Sequence, residues 1–160
     1  MFNMIRKKSE EVIYSPIVGK CIPLEQVPDK VFAEKMMGEG IGFIYEDDTI
    51  YSPCDGKIIM IASTKHAFGI KTKVGTEILV HIGIDTVDLN GEDFDFLVAM
   101  GNHVKAHDPI VRINMVSIKK KNVDITTPLI VTNVDISEVY VMKNEFVDLK
   151  TVVCRIKKNK

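Results

Sequence analysis

Two imidazoles fifteen residues apart, His66 in TKHAFGI and His81 in TEILVHIGIDTV, are the side chains whose type and setting suit covalent or metal chemistry. Read with the two-residue period of a strand, Ile78, Val80, Ile82 and Ile84 share one face, while Glu77, Leu79, His81, Gly83 and Asp85 share the other. The first face is core. The second offers an imidazole, a gap without a side chain at Gly83, and a carboxylate one strand step beyond. The same period turns Thr64, His66 and Phe68 one way, which lets the Thr64 hydroxyl fix the tautomer of the His66 ring. Three chemistries fit these residues. The two rings can bind zinc, with Asp85 or a partner supplying further ligands. His81 can act as a general base, although no Ser or Cys sits in a recognisable nucleophile turn. Or His81 is itself the nucleophile and carries a covalent group for a time. Against all three stands the bland reading of half-exposed histidines on an edge strand and in a core; His103 and His107 are given no role.

The elements that must position these rings read as short strands. Candidates are Gly42 to Tyr45, Lys57 to Ala62, His66 to Lys71, Glu77 to Ile84, Ile110 to Asn114, Leu129 to Thr132, Glu138 to Val141 and Thr151 to Ile156. Asp29 to Met37, stopped by Gly38, and Phe94 to Met100, stopped by Gly101, are predicted helical turns. Tyr14-Ser15-Pro16 and Tyr51-Ser52-Pro53 open two segments, thirty-seven residues apart, in which Gly and Lys also recur in register at Gly19-Lys20 and Gly56-Lys57. Ile110-Val111-Arg112-Ile113 is echoed by Val153-Cys154-Arg155-Ile156. The expected fold is therefore all-β, an antiparallel sandwich or barrel-like body with duplicated hairpin units and one or two short helical turns.

A chain of 160 residues buries roughly two thirds of its unfolded surface in one domain, so neither disulfide nor metal is needed to fold it. The three cysteines, Cys21, Cys54 and Cys154, have no ligand spacing and suit a reducing compartment. A net charge of −1 argues against nucleic acid as a partner, and no apolar run is long enough to span a bilayer. Residues 1–12 are expected to be a flexible tail and residues 13–160 the domain. From Asp85 to Asn102 the chain has five carboxylates and no Lys or Arg, a run that can steer a basic partner toward His81.

TKHAFGI, TEILVHIGIDTVDLNGEDF and VPDKVFAEKMMGEGIGF together resemble the glucose-family enzyme IIA component of the bacterial phosphoenolpyruvate-dependent sugar phosphotransferase system, over nearly the whole chain from about Tyr14. The resemblance implies an antiparallel sandwich and a phosphotransferase component working through a phosphohistidine. His81 would take a phosphoryl group from the histidine-containing phosphocarrier protein and pass it to the enzyme IIB domain of a sugar permease, supporting coupled uptake and phosphorylation. It further implies that His66 stabilises the phosphoryl group, that Thr64 orients His66, and that Asp85 is an acidic rim. Asp29, Val31, Phe32 and Glu34 match the partner-docking segment, with Ile82 and Val87 completing the apolar surround. No cofactor is required; zinc shared by His66 and His81 at a partner interface is the one metal the resemblance suggests. A cytoplasmic monomer, reaching the inner face of the membrane through its permease, is expected. Ala106-His107-Asp108-Pro109 stands where the family often has a Gly-Asp turn. The alternative is a non-catalytic module that binds zinc or a partner through the same pair.

Overall fold

The structure, a computed structural model, describes residues 10–158. Its strands are β1 (Glu10–Tyr14), β2 (Gly19–Pro23), β3 (Glu39–Ile44), β4 (Thr49–Tyr51), β5 (Gly56–Ile61), β6 (Ala67–Lys71), β7 (Glu77–His81), β8 (Phe94–Phe96), β9 (His103–Val104), β10 (Pro109–Ile113), β11 (Thr127–Val131), β12 (Val139–Val141), β13 (Phe146–Val147) and β14 (Val152–Lys157). Two short helices, α1 (Lys30–Ala33) and α2 (Met115–Lys120), complete it. All pairings are antiparallel, and the sheets stay open rather than closing into a barrel. An eight-stranded sheet runs β13-β2-β3-β11-β7-β6-β5-β9, and two three-stranded sheets run β1-β14-β12 and β4-β10-β8.

The duplication seen in the sequence organises this plan. The Tyr14 N–H donates to the Pro53 carbonyl and the Tyr51 N–H to the Pro16 carbonyl, both at 2.8 Å, so the two copies clasp each other. In each copy the buried Ser hydroxyl, Ser15 or Ser52, donates to the carbonyl two residues on at 2.6 Å. That satisfies a polar group that burial would otherwise penalise. β2 and β5 follow the two copies, each flanked by one short edge strand, β13 or β9, and β7 meets β11 at the centre of the large sheet.

Side-chain alternation then sorts two cores. Ile78 and Val80 of β7, with Leu129 and Val131 of β11, join Phe43, Phe68, Ile13, Ile50 and Ile156 in one cluster fed by all three sheets. The opposite face of β11, through Ile130, joins Leu24, Val27, Phe32 and Ile84 in a smaller cluster under α1, against which Leu79 of β7 packs. His81 shares that face with Leu79.

Several expected boundaries move. Phe94 to Met100 is not helical: Phe94–Phe96 is β8, paired with β10, because Phe94 is buried in the core while Phe96 sets its ring edge-on to Phe68 at 6.0 Å. Cross-strand packing here overrides local propensity. Met115–Lys120 is helical, with the Asn114 side chain accepting from the Ser117 N–H at 3.1 Å as its N-cap. The predicted helix at Asp29 shortens to α1 because Lys35 takes a left-handed φ of 59°. The expected boundary at residue 12 falls inside β1, where Glu10, Glu11 and Val12 pair with Lys157, Ile156 and Arg155; residues 1–9 of the expected tail lie outside the described residues. Among the described residues no helix is long and apolar enough to cross a membrane.

Candidate functional site

β7 stops at His81 because the chain turns sharply after it. Gly83 has φ +79° and Asp85 φ +56°, and a Cβ at Gly83 would lie 2.5 Å from Thr86 Cγ2 and 2.9 Å from the Asp124 carbonyl oxygen. Only glycine accepts that turn without strain. The Thr86 hydroxyl donates to the Ile82 carbonyl at 2.5 Å and the Ile84 N–H to the Asp124 carbonyl at 2.8 Å, which hold the turn shut. Its product is the orientation of the Gly83 carbonyl, which sits 2.8 Å from His81 Nδ1.

A carbonyl only accepts, so His81 Nδ1 carries the proton. In the neutral ring the lone pair is then on Nε2. Burial pushes the His81 pKa below its ordinary 6.5, against the opposing pull of the Gly83 bond and of the Asp29 and Asp85 carboxylates. The sign follows directly: at pH 6.5 neutral His81 outnumbers protonated His81. Long-range 1H–15N spectra at that pH will show a mainly neutral ring protonated at Nδ1. A proton on Nε2 would contradict the geometry.

His66 does not lie on a strand as expected. It sits in the turn between β5 and β6, just before Ala67, where Lys65 takes φ +58°. The consequence for the site is favourable, since Thr64 and His66 are brought into direct contact, with Thr64 Oγ1 2.5 Å from His66 Nδ1. The Ile82 N–H donates to the His66 carbonyl at 2.6 Å, tying the two histidine-bearing segments together. The rings pack edge to face with centroids 4.9 Å apart. Burial, and then the charge of His81, lowers the His66 pKa as well.

Phe32 forms the third wall, its ring centroid 5.1 Å from that of His81. α1 holds it there: Asp29 caps the helix by accepting from the Val31 N–H at 2.9 Å, and Phe32 is only 5% exposed. Val31, the residue before it, and Val87 are 42% and 48% exposed, with Glu34 and Asp85 exposed and Asp29 half-buried. Ile82 does not belong with them. It is fully buried in the main core, because the turn at Gly83 follows it, and so it cannot contact a partner. Just past α1, Met36 and Met37 are 70% and 40% exposed. The acidic run also needs correcting, because Asp93 is buried and paired with Lys121 at 2.9 Å, with Glu92 3.8 Å from the same ammonium.

Thiol chemistry does not compete at this site. All three cysteines are buried, and burial pushes Cys54 and Cys154 up to about 12. Among the described residues no group of three His, Cys, Asp or Glu side chains is gathered to hold a metal. The site therefore offers an imidazole held at Nδ1 by the Gly83 carbonyl, a second imidazole and the Phe32 ring packed against it, and the Asp29 and Asp85 carboxylates acting on it.

Residues 11–136 match the model of a family described as phosphoenolpyruvate-dependent sugar phosphotransferase system, EIIA 1. The fold is similar to the solved glucose permease IIA from Mycoplasma capricolum, with a TM-score of 0.86 and 37% identity, covering 93% of this chain and 97% of that one. A Csd3 structure from Helicobacter pylori also aligns, at a TM-score of 0.48 and 11% identity over 76% of this chain and 31% of that one.

Proposed function

The chain belongs to the EIIA 1 family of the phosphoenolpyruvate-dependent sugar phosphotransferase system, the glucose-family enzyme IIA, and from that premise we propose that His81 is its phosphorylated nucleophile. The observation that carries the reading is the 2.8 Å bond from His81 Nδ1 to the Gly83 carbonyl, which reserves the Nε2 lone pair for attack. In the first step that lone pair forms a bond to the phosphorus of a phosphohistidine on the histidine-containing phosphocarrier protein. The old P–N bond breaks and its electron pair returns to the donor ring. The phosphorylated His81 ring keeps its Nδ1 proton, and the Gly83 carbonyl steadies the positive charge spread over it. The same exchange in reverse sense hands the group to a nucleophile of the enzyme IIB domain of a sugar permease, which supports coupled uptake and phosphorylation.

Transfer between two such sites needs mainly positioning and charge stabilisation. We assign the second task to His66: with the Thr64 hydroxyl donating to Nδ1, the His66 proton lies on Nε2 and is free to bond a phosphoryl oxygen. Val31, Phe32 and Val87 form the collar that a partner covers to exclude water, with the buried Ile82 left out of it. Asp29, Glu34 and Asp85 give the rim an acidic character that suits a basic partner and a brief encounter, at or below roughly 1,200 Å². We take the working unit to be a monomer. It needs no cofactor, and it works in the cytoplasm, meeting the membrane through its permease. If zinc binds, His66 and His81 provide two of the four ligands a closed site wants, and the partner must provide the others.

The test is to incubate the protein with phosphoenolpyruvate, enzyme I and the histidine-containing phosphocarrier protein. An acid-labile, base-stable phosphate located on His81 by mass spectrometry is expected, and it should chase onto an added IIB domain. The zinc-module reading instead predicts stoichiometric metal in the isolated protein and no label.

A further inference from the structure

At the other end of the His-bearing hairpin lies a second concavity with a different chemistry. β6 pairs Ala67 with His81 at one end, and four residues on, about 13 Å along the strand, it carries Lys71. Lys71 stands directly opposite Lys57 of β5, which stands opposite His103 of β9, so three basic side chains form a row across three neighbouring strands. Lys73 and Lys105 flank the row, and all five line one cavity of about 560 Å³ at the open edge of the large sheet. The volume is that of a small-molecule site.

Like charges placed directly opposite on adjacent strands destabilise a sheet. The fold does not require them here. The matching row in the other half, Phe146 of β13, Lys20 of β2 and Ile44 of β3, has a single cation. Nor are the charges neutralised from within. None of Lys57, Lys71, Lys73 and Lys105 forms an ion pair within 4.0 Å among the described residues. Glu77 faces Lys71 on β7 without pairing to it, and the one acid lining the cavity, Asp55, accepts from the Ala106 N–H at 2.8 Å. A chain with net charge −1 thus concentrates four unpaired ammonium groups around one hollow.

We propose that this cavity is a binding site for a small polyanion, a metabolite bearing two phosphate groups, held by Lys57 and Lys71 with Lys73 and Lys105 closing over it. Lysine acts on phosphate as a mobile point charge and needs no fixed fork, which suits four stems converging from separate strands and turns. The concave shape favours a small ligand over an extended acidic surface.

Inorganic pyrophosphate titrated into the 15N-labelled full chain provides the test. Saturable shifts confined to the Gly56, Thr72 and Val104 amides are expected, with affinity falling as salt rises. The Lys57→Gln/Lys71→Gln variant, its fold confirmed by its amide spectrum, should bind about tenfold or more weakly while His81 still takes label. Absence of saturation at millimolar concentrations, or equal shifts at Lys119 and Lys120 on α2, would overturn the proposal. So would binding of anionic lipid vesicles or a polyglutamate peptide to this face while pyrophosphate leaves it unchanged. Because label uptake is read separately, failure here and failure of the phosphocarrier reading are distinguishable.

Discussion

A His81→Ala protein will take up no phosphoryl group from the histidine-containing phosphocarrier protein, at any donor concentration, while keeping its fold. The loss is complete because no other side chain at the site can substitute. His66 Nδ1 is engaged by Thr64, and the thiols are buried and protonated. A nucleophile's removal differs from that of a positioning group, which leaves a slow residual reaction. The fold should survive because His81 is half-buried, and what it loses, ring contacts to Phe32 and His66 and one hydrogen bond to the Gly83 carbonyl, lies at the site and outside the main core. A stability loss of about 1 kcal/mol is the scale for such a change, small enough for the amide spectrum to stay native. Gel-shift or mass measurement of the phosphoprotein reads the result, and normal labelling of the variant would remove His81 from its role.

The turn at Gly83 also explains which parts of this site could be read from sequence. Alternation identified Ile78 and Val80 as core and put His81 on the other face, and both hold because β7 is regular up to that point. The same alternation, continued to Ile84, placed Ile82 and Ile84 together, whereas Ile82 packs in the main core and Ile84 in the small cluster with Phe32. A two-residue period has no way to register a positive φ; the glycine itself was the cue, and it reads as a gap in a strand only if the strand is assumed to continue. His66 shows the reverse case. Its contact with Thr64 was expected from a strand spacing that does not exist, and it arises from a left-handed Lys65 in a tight turn. The Tyr-Ser-Pro repeat was legible because its cause is local, a buried hydroxyl bonding two residues ahead in each copy. The row of Lys57, Lys71 and His103 was not, since it depends on register among three strands far apart in sequence.

Replacing His66 by Gln should separate the two half-reactions, leaving phosphoryl acceptance by His81 nearly intact and slowing onward transfer to the IIB domain by on the order of 10²–10³-fold. In acceptance the phosphoryl group arrives already held by the donor's own site, so this chain has only to present Nε2 in line. In donation the group must be kept in line by this chain until the next partner docks. Gln retains an N–H for a phosphoryl oxygen, but it loses the Thr64 contact at Nδ1 that fixes the ring, and its longer side chain samples more rotamers. The imidazole also has a proton response that the amide lacks. Its pKa is held down by burial and by the charge of His81, and a phosphoryl dianion placed beside it reverses the second influence, favouring a charged ring in the phosphorylated state alone. Single-turnover quench-flow with pre-phosphorylated variant measures the second step apart from the first. Equal losses in both steps would show that His66 does no more than pack against His81, and a Thr64→Ala variant that reproduces the His66→Gln split would place the effect in the orientation of the ring.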